Sequence, residues 1–109
     1  MKLILPSMRA RLIKAWRTSG PPLVKLFVPW NAGTWLISEI DPDDPDLAFA
    51  LCDLGVGSPE LGYLHIPEIE AVRGPFGLKI ERDLHWSPEK GKTMEQYADE
   101  ARARGRISA

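Results

Sequence analysis

The sequence predicts an α+β fold: a single antiparallel sheet of about five strands, arranged as a meander, with helices packed on one face. Apolar residues repeat at helical spacing near both ends of the chain, and short apolar runs fill the middle. The links between the early runs are short, which favours antiparallel neighbours, because a parallel crossover needs about a dozen residues or more. The 109 residues are enough for one domain, spanning residues 1–109.

The first helix is predicted to begin at Pro6, because proline lacks the N–H that would have no partner in the first helical turn. Ser19 and Gly20 are predicted to end it, and two prolines follow them. Its apolar stripe consists of Leu5, Met8, Leu12 and Trp16.

Alternation and turn residues predict the remaining elements. Four strands are expected over residues 23–28, 34–40, 47–54 and 60–66. A short helix over 67–72 and a fifth strand over 78–86 follow. Thr93 and Gln96 form a capping box for the last helix, and Gly105 closes it.

The central stretch is residues 51–63, where two apolar runs meet across a turn rich in glycine, serine and proline. Those residue types favour the backbone angles of a turn, so the stretch predicts a β-hairpin. Asp53 and Glu60 flank the turn, which would place two carboxylates near one rim.

Residues 41–46 read Asp-Pro-Asp-Asp-Pro-Asp. Two prolines and four aspartates do not favour a strand ladder or a helix, so an exposed acidic loop is predicted. It could supply oxygen ligands to a divalent cation or present an anionic patch to a basic partner, and the EF-hand pattern is absent. Trp30, in a loop after Pro29, is a candidate anchor for a protein partner. The predicted contact surface consists of Trp30, Asp41, Asp43, Asp44, Asp46, Asp53 and Glu60.

A set of polar side chains on the predicted fifth strand supports an alternative function. Every second residue from 79 to 85 is charged or a histidine, and period-two spacing puts these side chains on one sheet face. His85 could serve as a general base, with acids to orient it or to bind a metal. Same-face neighbours on a strand lie about 7 Å apart, so a metal shell would need a second strand. The alternative hypothesis is a metal-assisted hydrolase that uses Asp53, Glu60, Asp83 and His85.

Composition restricts the cellular compartment and the classes of partner that we expect. The net charge of −1 provides no overall basic field for nucleic acid or a membrane. Cys52 is the sole cysteine, which excludes an intramolecular disulfide and fits a reducing compartment. No apolar run approaches the ~20 residues of a membrane span, and no phosphate-binding or dinucleotide fingerprint occurs. We therefore expect a cytoplasmic protein without a cofactor.

Several segments carry a family resemblance. They are 24–27 (VKLF), 34–36 (TWL), 39–42 (EIDP), 44–46 (DPD), 51–55 (LCDLG), 59–63 (PELGY), 72–75 (VRGP), 80–85 (IERDLH) and 97–102 (YADEAR). Through them the chain resembles a bacterial family of unknown function, domain-of-unknown-function family 2958. Its members resemble the products of small cargo genes of bacterial chromosomes and mobile elements, and these genes sometimes lie near antirestriction genes. The resemblance implies a DNA-linked or defence-linked setting but supplies no reaction and no site residue.

The leading hypothesis is a non-enzymatic interaction module that binds a macromolecule, with a protein as the expected partner. Nucleic acid is the alternative partner, contacted by the basic side chains of the first helix. These are Arg9, Arg11, Lys14 and Arg17.

Overall fold

The computed structural model describes residues 3–109, which form one antiparallel sheet and three helices. The strands are β1 (Val24–Phe27), β2 (Thr34–Asp41), β3 (Asp44–Asp53), β4 (Glu60–His65) and β5 (Glu81–Arg82). The helices are α1 (Pro6–Lys14), α2 (Ile66–Ala71) and α3 (Met94–Arg104), with a 3₁₀ turn at Pro75–Gly77. The strand order is β4-β3-β2-β1-β5, and every neighbouring pair is antiparallel. The predicted fold class is confirmed: β1 to β4 form the meander, and β5 returns to pair with β1.

The helices cover both faces of the sheet, whereas the sequence predicted one covered face. On the first face, called the α1 face, Leu12 of α1 and Ile66 of α2 pack in one cluster with β1, β2 and β3. On the second, called the α3 face, Leu36 and Leu51 pack against α3. Because β2 and β3 carry apolar side chains on both faces, a single layer of helices would leave half of them in water. The α3 residues in this cluster are Met94, Tyr97, Ala98 and Ala101.

A β-bulge in β2 decides which side chains face which layer. The register shifts between Ile37 and Glu39, which leaves Ser38 as the extra residue opposite β3. An extra residue reverses the alternation of the chain beyond it. Ser38 and Glu39 therefore both lie on the α3 face, and Ile40 is fully buried in the cluster of the α1 face.

The first helix is shorter than predicted. It ends at Lys14, so Trp16 lies outside it in a run of turns. Arg17 and Ser19 adopt left-handed backbone angles, with φ of 61° and 57°. The backbone N–H of Arg17 donates to Oε1 of Glu39 at 2.8 Å, so a tertiary hydrogen bond holds this segment out of helical geometry.

The fifth strand is also shorter than the predicted 78–86. A turn precedes it, closed by the N–H of Gly74 donating to the carbonyl of Leu78 at 2.7 Å. A second turn follows it, where Oδ1 of Asp83 accepts the N–H of His85 at 3.0 Å. β5 lies at the edge of the sheet beside β1, which has only 4 residues. The N–H of Asp83 still donates to the carbonyl of Lys25 at 2.9 Å. A strand over all of residues 78–86 would extend beyond β1 and leave backbone groups without a ladder partner.

The last helix is confirmed as predicted. Thr93 and Gln96 form the capping box, and Gly105 closes the helix with a φ of 72°. Nζ of Lys92 lies 2.5 Å from Oε2 of Glu100, and this hydrogen bond raises the pKa of Lys92 and lowers the pKa of Glu100. Within residues 3–109, no helix combines the length and apolar character needed to cross a bilayer.

We expect Gly74→Ala to lower the free energy of unfolding by about 1–3 kcal/mol, because overpacking displaces neighbouring groups. A Cβ at Gly74 would lie 2.5 Å from atoms of the Trp30 ring. Urea denaturation followed by tryptophan fluorescence measures the loss. The matched control is Gly62→Ala, where a Cβ would meet nothing within 4 Å. A loss of equal size in the control would contradict the proposed contact.

Candidate functional site

The predicted contact surface is divided between the two ends of the sheet. Residues 41–46 lie at the tip of the β2–β3 hairpin, whereas Asp53 and Glu60 flank the turn at the far end of β3. β3 has 10 residues, and such a strand is about 30 Å long. The acidic residues of the prediction therefore do not form one surface.

The acidic hairpin tip is exposed, but it is part of a strand ladder, which corrects the predicted loop. Asp41 pairs with Asp44 across the tip, and β3 begins at Asp44. Oδ1 of Asp41 accepts the N–H of Asp43 at 2.8 Å, and Oδ1 of Asp44 accepts that of Asp46 at 3.3 Å. The register is irregular just inside the tip, so the missing N–H of Pro45 breaks no ladder bond.

Asp53 serves the fold and does not belong to an accessible surface. Its side chain is buried, with 2% of the residue exposed. Oδ1 accepts the N–H of Gly55 at 2.8 Å, and Oδ2 accepts the N–H of Ile107 at 2.9 Å. The carboxylate thus ties the β3–β4 turn to the C-terminal segment. Glu60 is exposed and pairs with Cys52, so it points to the opposite face from Asp53.

The four residues of the hydrolase hypothesis are not brought together. Glu60 lies on β4 at one edge of the sheet, whereas Asp83 and His85 follow β5 at the other. Oδ2 of Asp83 lies 3.6 Å from Nζ of Lys25, and Oδ1 of Asp83 accepts the backbone N–H of His85. In the part of the chain that the structure describes, no three histidine, cysteine or acidic side chains could share a metal ion.

Trp30 is half-buried and packs against the cluster of the α1 face. Its ring lies over Gly74, where a Cβ would come within 2.5 Å of it. Trp30 therefore contributes its ring to packing between two loops, and only part of the side chain is exposed.

Three loops meet at the end of the sheet where β2 begins and β3 ends. They are residues 28–33, 54–59 and 74–78. Trp30 of the first loop covers Gly74 of the third, and a Cβ at Gly55 of the second would lie 3.2 Å from Ala32 of the first. We call these loops the apolar loop end, because they carry large exposed apolar side chains. These are Leu54, Val56, Phe76 and Leu78.

Phe76 is the most unusual residue of the apolar loop end. Its side chain is fully exposed, and its backbone is left-handed, with φ 58° and ψ 23°. That conformation costs a non-glycine residue about 1–2 kcal/mol. Phe76 lies between the short helix predicted over 67–72 and the strand predicted over 78–86, and no role is predicted for it. The available signal was the order Pro-Phe-Gly, which places a large aromatic residue inside a turn.

Cys52 is half-buried in β3, and burial raises the pKa of its thiol. A raised pKa keeps the side chain protonated near neutral pH, and the thiol form is a poor nucleophile. Cys52 is therefore a small residue packed inside a strand.

Comparison with known proteins assigns the chain to a family. The family described as "Protein of unknown function (DUF2958)" matches residues 3–108. The chain belongs to the DUF2958 family. Because the match spans nearly the whole chain, the sheet, its helices and the apolar loop end are all parts of the DUF2958 unit. No curated protein and no solved structure shows a significant match.

We expect Asp53→Ala to lower the free energy of unfolding by about 2–4 kcal/mol, because it leaves two backbone N–H groups without an acceptor. The matched control, Glu60→Gln, alters an exposed carboxylate and should stay within about 0.5 kcal/mol of the wild type. Urea denaturation monitored by circular dichroism compares the two. Unchanged stability of Asp53→Ala would contradict the structural role.

Proposed function

We propose that this DUF2958 protein is a non-enzymatic interaction module that binds a protein partner through the apolar loop end. The observation that carries the proposal is Phe76, a fully exposed aromatic side chain on a strained backbone. Nothing in the fold gains from this exposure, since the ring contributes no packing. Burying a phenylalanine against a partner is favourable by about 1.5–3 kcal/mol, and aromatic anchors of this kind dominate many interfaces.

The lack of charge at the apolar loop end favours a protein over nucleic acid. The chain is 27% charged, yet residues 28–33, 54–59 and 74–78 include no charged residue and no histidine. Nucleic-acid surfaces depend on lysine and arginine contacts to phosphate, whereas the cores of protein interfaces are depleted of charge. The expected partner therefore offers an apolar pocket or groove.

The loops are also held in place before binding. Asp53 ties the β3–β4 turn to the C-terminal segment, and Trp30 packs on Gly74. A preordered surface loses less conformational entropy when it binds. We place the module in the cytoplasm, because its one cysteine fits a reducing compartment, and in the mobile-element setting that the resemblance implies.

Site-specific photocrosslinking tests the proposal in cells that express the protein naturally. A benzophenone amino acid replaces Phe76 in one variant and Tyr63 in the other. Tyr63 is an exposed aromatic residue on β4, outside the apolar loop end. We expect discrete protein adducts from position 76 and none of the same mass from position 63. Identical adducts from both positions, or none from position 76, would refute the proposal.

Phe76→Asn separates binding from folding. Asparagine tolerates the left-handed conformation, so the free energy of unfolding should stay unchanged or rise by up to about 1 kcal/mol. A crosslinker at Val56 should lose most of its adduct in this variant, because the anchor is absent. Undiminished adduct formation in a folded Phe76→Asn protein would remove Phe76 from the interface.

A further inference from the structure

A cleft of about 410 Å³ lies on the α3 face, between the bulge of β2 and the first turn of α3. Its volume is within the range of small-molecule sites, about 300–1,000 Å³. It lies four or more residues along β2 from Thr34, about 13 Å from the apolar loop end. Its walls include Ser38, Glu39, Phe49, Leu61, Met94 and Glu95.

Ser38 is a buried polar group without a partner. The residue is 1% exposed, and its Oγ has no hydrogen-bond partner within residues 3–109. Buried hydroxyl groups are normally hydrogen-bonded, and an unpaired one is unfavourable for the free protein. Ser38 lines the cleft, so a bound molecule could supply the missing partner.

Glu39, the next residue along β2, also lines the cleft and carries a carboxylate. It is 8% exposed, and its Oε1 accepts one hydrogen bond, from the N–H of Arg17. No lysine or arginine side chain of the described chain forms an ion pair with it. The guanidinium of Arg17 lies over the ring of Trp16, 5.9 Å from its centroid. A buried carboxylate without a counter-charge favours a cation.

The charges around the cleft select a cation over an anion. A helix N-terminus carries about half a positive charge. At α3 that charge is offset by Glu95 in the first turn, and the capping box of Thr93 uses one of the free N–H groups. The full charge of Glu39 therefore dominates inside the cleft.

The other walls are apolar. Phe49 is held by an edge contact with Tyr63, with ring centroids 5.4 Å apart. Leu61 and Met94 complete the wall toward α3. These side chains fit a short hydrocarbon chain better than a hydrated metal ion.

We infer that this cleft binds an organic primary ammonium group carried on a short apolar chain. The ammonium has three donors and no acceptor. It donates to the carboxylate of Glu39 and to Oγ of Ser38, while the carbon chain packs against Phe49 and Met94. The group belongs either to a free small amine or to a lysine side chain of a polypeptide. The inference does not depend on the apolar loop end.

Titration of the full chain followed by amide ¹H–¹⁵N NMR tests the inference. The probes are pentylamine, with 1-pentanol as the neutral control, and N-acetyl-lysine methylamide, with its norleucine counterpart as control. We expect saturable shifts around residues 38–39 and 93–95 from an amine and none from its neutral control. Shifts from pentylamine without shifts from the lysine derivative assign the site to free amines, and shifts from the lysine derivative assign it to a polypeptide. The inference is overturned if the shifts do not saturate with either amine at concentrations that would fill a site with a Kd of about 1 mM.

Two variants locate the binding. Glu39→Gln keeps an oxygen for the N–H of Arg17 but removes the charge, so affinity should fall about tenfold or more. Glu60→Gln makes the same change of net charge on an exposed residue and should leave affinity unchanged. Equal losses in the two variants would show nonspecific attraction and refute the site.

Ser38→Ala distinguishes a binding role of the hydroxyl from a purely structural one. It removes a buried hydroxyl that has no partner in the free protein, so the melting temperature should rise, by about 4 °C for a domain of this size. Amine affinity should fall at the same time. A lower melting temperature, or unchanged affinity, would contradict the assigned role of Ser38.

Discussion

The burial of β2 on both faces is the constraint on which this structure depends. The strand lies between β1 and β3, with helices on either side of the sheet, and Trp35 to Ile40 are all buried. Strict alternation would point Glu39 into the apolar cluster of the α1 face and Ile40 away from it. A carboxylate without a partner in that cluster would cost several kcal/mol. The bulge at Ser38 avoids this cost by moving Glu39 to the α3 face and Ile40 into the core.

The bulge affects elements that are far away in the sequence. Oε1 of Glu39 accepts the backbone N–H of Arg17, and the chain there leaves helical geometry after Lys14. A cleft lined by Ser38 and Glu39 of the bulge also lies beside the first turn of α3. One added residue in a central strand thus contributes both to the end of α1 and to the cleft beside α3.

The two ends of the sheet differ in chemistry. The β2–β3 tip concentrates aspartates, whose side chains partly satisfy their own backbone. The apolar loop end has no charge and presents Leu54, Val56 and Phe76 to solvent. Its backbone is fixed by Asp53 and by the packing of Trp30 on Gly74. Exposed apolar side chains on a rigid support are typical of surfaces that bind other molecules.

The sequence alone determined the features that depend on local chemistry. The order of elements, the antiparallel meander of the first four strands, the capping box at Thr93 and the closing Gly105 follow from spacing, turn residues and side chains that bond their own backbone. Tertiary structure decided the rest, because partners distant in the chain set it. The bulge at Ser38, the second helical layer, the burial of Asp53 and the short β5 all depend on which strand or segment lies opposite. The order Pro-Phe-Gly indicates a turn at Phe76 but not the exposure of its ring, since a side chain is exposed only when no other part of the chain covers it.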